Sequence, residues 1–172
     1  MEMPDAARFL RRHQIRVVRV EWCDLHGVAR GKRVQANHFL EKAQEGFSFS
    51  SACMEMDLRG QIPWLGDQRL PWGNLYARPD LSTLHRVPFE PHAAAVVCDL
   101  FTHDGEPVPF SPREVLRRVL ASAQTRGLQC CIGAELEFYL FQDDAFSLLP
   151  PGKLAYRIRN GSHEQQMMEA LD

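Results

Sequence analysis

The chain has 172 residues, enough for one ordinary domain or for a small domain plus part of another, and enough to bury a core. Its 45% hydrophobic content excludes wholesale disorder. Twenty basic against 22 acidic residues give a formal charge of −2, so no basic excess points to nucleic acid and no acidic run reads as a tail.

Residues 5–13 fit a short amphipathic helix with Ala6, Phe9 and Leu10 on one side. The basic residues around it, Arg8, Arg11, Arg12, His13, Arg16 and Arg19, read as a solvated surface. Residues 15–22, IRVVRVEW, are rich in β-branched side chains and place Val18, Val20 and Trp22 on one face of a strand. Asp24 and Gly27 mark a turn, and residues 28–34 return as the second strand of a hairpin with one solvated face. Residues 37–45 read as a helix with Asn37 as N-cap and Phe39, Leu40 and Ala43 inward. Residues 46–73 are irregular, with Gly60, Gly66, Pro63, Pro71 and two tryptophans, which predicts a functional or poorly ordered loop.

Further strands follow at 74–80 and 91–101, and the nearly unbroken apolar run 93–100 predicts a central strand. Glycine and prolines at 102–110 mark a boundary. Beyond it Ser111, Pro112 and Glu114 form an N-cap, N1 and N3 set for a helix whose apolar face is Val115, Leu116, Val119, Leu120 and Ala123, ended by Gly127. A strand over 129–141 comes next. The order is that of an α+β protein, compatible with a β-grasp.

Five cysteines, at 23, 53, 98, 130 and 131, form no C-x-x-C pair, which argues against zinc and against a disulfide framework. Cys98, Cys130 and Cys131 lie in apolar runs and read as small core residues, and the whole set fits a reduced, cytoplasmic setting. The N-terminus lacks the pattern of a signal peptide, and no segment approaches 18 apolar residues, so no membrane partner is expected.

The 129–141 strand carries the chemistry. Ile132, Ala134, Leu136, Phe138 and Leu140 share a face that should be buried, while Glu135 and Glu137 share the other. Their Cβ atoms would sit about 6–7 Å apart. At an effective dielectric of about 20 two such charges repel by roughly 2.5 kcal/mol, which either open water or a hard divalent cation offsets. The motif alone fits a solvated edge strand as well as a metal site.

Context adds a family. The stretch GAELEFYLF at 133–141 closely resembles the first metal-binding strand of glutamine synthetases. Four earlier blocks resemble the same family in the same order. They are the hairpin at 15–34, the Pro-Asp and Pro-Phe segment at 75–89, the strand from 93 with its Cys-Asp turn at 98–99, and the Pro-Arg that opens the helix at 112. The resemblance implies a β-grasp-like N-terminal domain over 1–106 and the truncated start of a catalytic domain over 107–172. It further implies an ATP-dependent ligase that joins the γ-carboxyl of glutamate to ammonia or an amine through a γ-glutamyl phosphate. Mg²⁺ or Mn²⁺ would serve as cofactor, with Glu135 on the metal nearer the ATP phosphates and Glu137 on the metal nearer glutamate. The family forms stacked rings, so a homo-oligomer is expected of the parent.

Two departures qualify this. Where ammonia-using members carry Asp-Gly-Ser-Ser, this chain has Ser48, Phe49, Ser50 and Ser51. A serine neither attracts ammonium by charge nor acts as a base unaided. The change resembles the branch making γ-glutamyl-polyamines or other γ-glutamylamides, with Glu55 or Asp57 as candidates for a displaced carboxylate. The family also runs much further than residue 172, so this chain is expected to be an inactive fragment with an exposed apolar strand edge. The competing account is a non-catalytic β-grasp interaction module with a vestigial ligase segment.

Overall fold

The computed structural model describes residues 1–54, 56–57, 59–62 and 73–135. The chain divides into two compact units, Met1–Cys130 and Cys131–Asp172.

The first unit is a mixed α/β structure. Helix α1 (Met3–Arg12) carries Asp5 in its first turn and Arg11 and Arg12 in its last, charges that match the helix dipole. It buries Ala6 and Leu10. Strand β1 (Val17–Cys23) alternates as its sequence predicts: Val18, Val20 and Trp22 are buried, with 0%, 0% and 3% exposure. Strand β2 (Ala29–Gln35) pairs antiparallel with it, and helix α2 (Ala36–Lys42) follows without a break. Asn37 is therefore not the N-cap. Gln35 holds that position without a side-chain bond, because the chain passes straight from strand to helix and leaves no free turn to cap.

Strand β3 (Phe47–Ser50) and a 3-10 turn (Ser51–Met54) lie in the stretch expected to be irregular. The four-residue strand alternates buried Phe47 and Phe49 with Ser48 and Ser50 and is too short to stand out by pattern. Strands β4 (Asn74–Pro79), β5 (His85–Arg86) and β6 (Ala93–Phe101) complete a six-stranded sheet of order β2-β1-β6-β4-β3, with β5 added beside β6. The β1–β6 pairing is parallel and the others antiparallel. As its composition predicts, β6 is central: β1 covers one edge and β5 and β4 share the other. The main core gathers Leu10, Phe39, Phe47, Leu75, Val96 and Leu100 between the helices and one sheet face.

The β1–β2 turn is built around Asp24, which is 1% exposed. Its Oδ1 accepts the backbone N–H of His26 and of Val28, each at 2.9 Å, and its Oδ2 accepts Arg30 Nε at 2.8 Å. Burial pushes this carboxyl up, but the Arg30 bond and the two backbone donors outweigh it and hold the pKa below the ordinary value. Gly27 takes φ +80°, and at Gly31 a Cβ would meet the Val20 carbonyl oxygen at 2.5 Å.

Helix α3 (Pro112–Thr125) has Ser111 as N-cap and Pro112 at N1 as predicted, but Ser111 makes no side-chain capping bond. Its C-terminus is a Schellman motif: Gly127 at φ +72° donates to Gln124 O and Leu128 to Ala123 O, both at 3.0 Å. The helix buries no residue, and Val115, Leu116, Val119 and Leu120 are 39–58% exposed. In the second unit, the described residues 131–135 are neither strand nor buried, and neither are 128–130 before them. This corrects the expected start of the 129–141 strand and the burial of Ile132, Cys130 and Cys131. A strand exists only with a ladder partner, and among the described residues none pairs with 129–135. Residues 136–141 lie outside the described residues.

Two outcomes follow. Gly31→Ala should destabilise the chain by about 1–3 kcal/mol, because the obstacle is backbone and cannot rotate away; thermal unfolding reads this. The depressed Asp24 pKa contributes stability above the unfolded-state value, lost as pH falls through the folded one. Acid unfolding should therefore begin near and below about pH 4, and Asp24→Asn should lower stability at neutral pH while flattening that acid limb.

Candidate functional site

The serines expected to line an amine site lie together on β3 and its exit. Ser48 is half-buried opposite Tyr76, and Ser50 is exposed opposite Asn74. Ser51 is buried and accepts the Gly73 N–H on its Oγ at 3.2 Å, while its own N–H donates to Gly73 O at 2.9 Å. Ser51 thus closes the base of the loop that leaves β3 and returns to β4. Asp57 is committed to its own turn, accepting the backbone N–H of Arg59 and Gln61 at 2.8 and 2.9 Å. Glu55 lies outside the described residues.

Sequence reading missed Lys32. It stands on β2, at the opposite end of the sheet order from β3, yet its Nζ donates to the Ser48 carbonyl and lies 4.7 Å from the Phe49 ring centroid. The sheet therefore curls until its two ends meet. Only the curl makes the contact, so spacing along the chain carries no signal of it. Trp22 braces the same ring edge-on, with centroids 5.6 Å apart and planes at 82°.

Along β2 and the facing part of β1 runs a shallow concavity of about 300 Å³ lined by Arg19, Glu21, Arg30, Lys32 and Arg33. Its guanidinium groups are already paired. Arg30 binds Asp24, Arg19 binds Glu21 at 2.6 Å and Glu90 at 3.7 Å, and Arg33 binds Glu90. Arg33 beside it is the main cause holding the Glu90 carboxyl below its usual value.

Three of the sequence blocks converge on one ionic cluster. Arg113 Nε donates to Asp99 Oδ1 at 2.8 Å, and its other guanidinium nitrogen pairs with Asp80. Arg117 donates to the second Asp99 oxygen at 2.7 Å and to Glu114 at 3.0 Å. The cluster fastens α3 to β6 and to the turn after β4. The Ser82 hydroxyl and then its N–H, aided by the two arginines, hold the Asp80 pKa low against burial. Beside it, burial pushes the Cys98 thiol up to about 12, which leaves it protonated and unreactive at neutral pH.

Glu135 is exposed and outside any strand, and Glu137 lies outside the described residues. Among the described residues no group of three or more His, Cys, Asp or Glu is arranged to hold a metal. Glu135 offers one hard oxygen donor of the kind Mg²⁺ and Mn²⁺ accept, and one donor does not make a centre.

Residues 109–170 match the model of the glutamine synthetase catalytic domain. The chain is 36% identical over 145 residues to a glutamate–isopropylamine ligase from Pseudomonas, covering 81% of this chain and 31% of that protein. The chain belongs to the glutamine synthetase family. It is also 30% identical over 178 aligned positions to the glutamate–methylamine ligase of Methyloversatilis universalis, covering 99% of this chain and 38% of that protein. Among solved structures, one described as a GmaS/ADP complex superposes with a TM-score of 0.58 at 28% identity, covering 71% of this chain and 26% of its own. The chain thus spans about a third of the length of these curated relatives. Family members use ATP and a divalent metal in general.

The ionic cluster joins the blocks that carry the family likeness, so those residues hold the fold together. Asp99→Asn should loosen α3, with faster amide exchange across 112–125 and a loss of about 1–3 kcal/mol in global stability, as charged hydrogen bonds are broken. Arg117→Gln, which removes the more exposed partner, should cost less.

Proposed function

We propose that this chain is the N-terminal portion of an ATP-dependent ligase that couples the γ-carboxyl of glutamate to an amine through γ-glutamyl phosphate. The observation that carries the reading is the 36% identity over 145 residues to a glutamate–isopropylamine ligase, joined by an alignment of 99% of this chain with 38% of a glutamate–methylamine ligase. Residues 1–106 form the β-grasp-like N-terminal domain and 107–172 the start of the catalytic domain. The curled six-stranded sheet and the family match beginning at residue 109 support that division.

In the assembled enzyme Glu135 and Glu137 supply carboxylate oxygens to Mg²⁺ or Mn²⁺. The metal's part is to neutralise phosphate charge during phosphoryl transfer. The amine is received at the stretch holding Ser48, Ser50 and Ser51. The absence of an aspartate at position 48 favours an alkylamine over ammonium, because a neutral serine removes the charge on which ammonium, with no alkyl group to bury, depends. The parent works as a homo-oligomer in the cytoplasm on small-molecule substrates.

The test begins by reading the coding frame beyond codon 172. The protein encoded by the frame is then assayed with ATP, glutamate and Mg²⁺ against isopropylamine, methylamine and ammonium. ADP formation that depends on glutamate and an alkylamine, with ammonium the poorest acceptor, is the expected result. Glu135→Gln and Glu137→Gln in that protein should each lower kcat by more than about a hundredfold, beyond what loss of a group merely supporting a metal ligand costs. A frame with no ligase sequence, or a full product that forms no ADP with any amine, would sink the reading.

A further inference from the structure

In the structure the candidate amine stretch already holds an amine: the side chain of Lys32. Its ammonium donates to the Ser48 carbonyl, and its charge lies over the Phe49 ring. Strand β3 ends the sheet order, so among the described residues a carbonyl on its outer edge has no ladder partner and can accept from a side chain. Phe49 is 8% exposed and braced by Trp22, so its ring is fixed in place before any ligand arrives.

A carbonyl oxygen and an aromatic face are what a primary ammonium takes where no carboxylate is offered. The oxygen accepts N–H, the ring quadrupole attracts the charge, and the ring plane covers the adjoining methylenes. Asp57, the described carboxylate that follows β3, accepts the backbone N–H of Arg59 and of Gln61 on its Oδ1. A lysine side chain is itself a primary alkylammonium.

We infer that the Ser48 carbonyl and the Phe49 ring form a recognition point for a primary alkylammonium, and that Lys32 is its resident occupant within the chain. Lys32 is then a specificity-determining residue, since an incoming amine gains this point only by displacing it. The inference rests on the amine-ligase reading of residues 47–51. A tethered side chain competes at an effective concentration of order millimolar, so its removal raises the apparent affinity of a free amine. Ammonium has no alkyl group to lay on the ring and competes least.

The experiment uses this chain with ¹³C-labelled phenylalanine and lysine, as wild type, Lys32→Met and Lys32→Arg. Each is titrated with isopropylammonium chloride, ammonium chloride and, for ionic strength, sodium chloride, while the Phe49 ring resonances are followed by NMR. Isopropylammonium should shift the Phe49 ring of Lys32→Met with an apparent dissociation constant roughly tenfold below that of wild type. Lys32→Arg should behave as wild type, and ammonium and sodium should have little effect. In wild type the Lys32 Cε resonance should move toward its free-lysine position as the ring shifts. That displacement decides the matter if Lys32→Met fails to fold. A ring response equal in wild type and Lys32→Met, absent from both, or reproduced by sodium would overturn the inference and leave Lys32 a latch between sheet ends. In wild type, a ring shift without Lys32 movement would do the same. Failure here leaves the ligase reading standing, whereas a full product without amine-dependent activity removes that reading without altering binding to this chain.

Discussion

The fold depends on one strand being paired along both edges. Strand β6 carries almost no polar side chain in its first half, and its backbone groups can be buried only if neighbours on both sides accept them. A parallel β1 satisfies one edge, and antiparallel β5 and β4 divide the other. Each remaining element then falls into place by contact with this axis. The β1–β2 hairpin extends the sheet on one side, β3 extends it on the other, and the two short helices cover the face carrying Val18, Val20, Val96 and Leu100.

Continued twist in one direction brings the outermost strands, β2 and β3, toward each other. Lys32 bridges them through the Ser48 carbonyl and the Phe49 ring. The same curl therefore does two things. It closes the sheet around its aromatic residues, and it sets a cation beside the stretch proposed above to receive the amine. Charge is handled differently on the outer face, where Arg19 and Arg33 are neutralised by Glu21 and Glu90.

Helix α3 shows how an element can be well specified and still lack a core. Its start at Pro112 and its Schellman end follow from local sequence, and its fastening to β6 follows from Asp99, Arg113 and Arg117. Burial of its apolar stripe is a different matter, because it requires a facing surface, and among the described residues none covers it. Polar side chains reach a partner across several ångströms and set the helix on the sheet, whereas apolar contact demands close packing.

By itself the sequence determined β1, β2, β4, β6, α1 and the limits of α3, because period-two burial, glycine and proline punctuation and a long apolar run are local signals. It also determined the family, because five blocks in fixed order survive where any one of them is ambiguous. Only the tertiary structure decided the rest. Asn37 lost its cap because β2 runs directly into α2. The strand Phe47–Ser50 was too short to announce itself and exists because β4 pairs with it. Asp80, Asp99 and Arg113 are far apart in sequence and meet only through strand order, as do Lys32 and Phe49. Glu135 reads as a strand carboxylate by alternation, yet strand geometry comes from a partner and not from the residue itself, and among the described residues it has none. Local physics fixes what a segment is able to become, and pairing and burial select what it becomes.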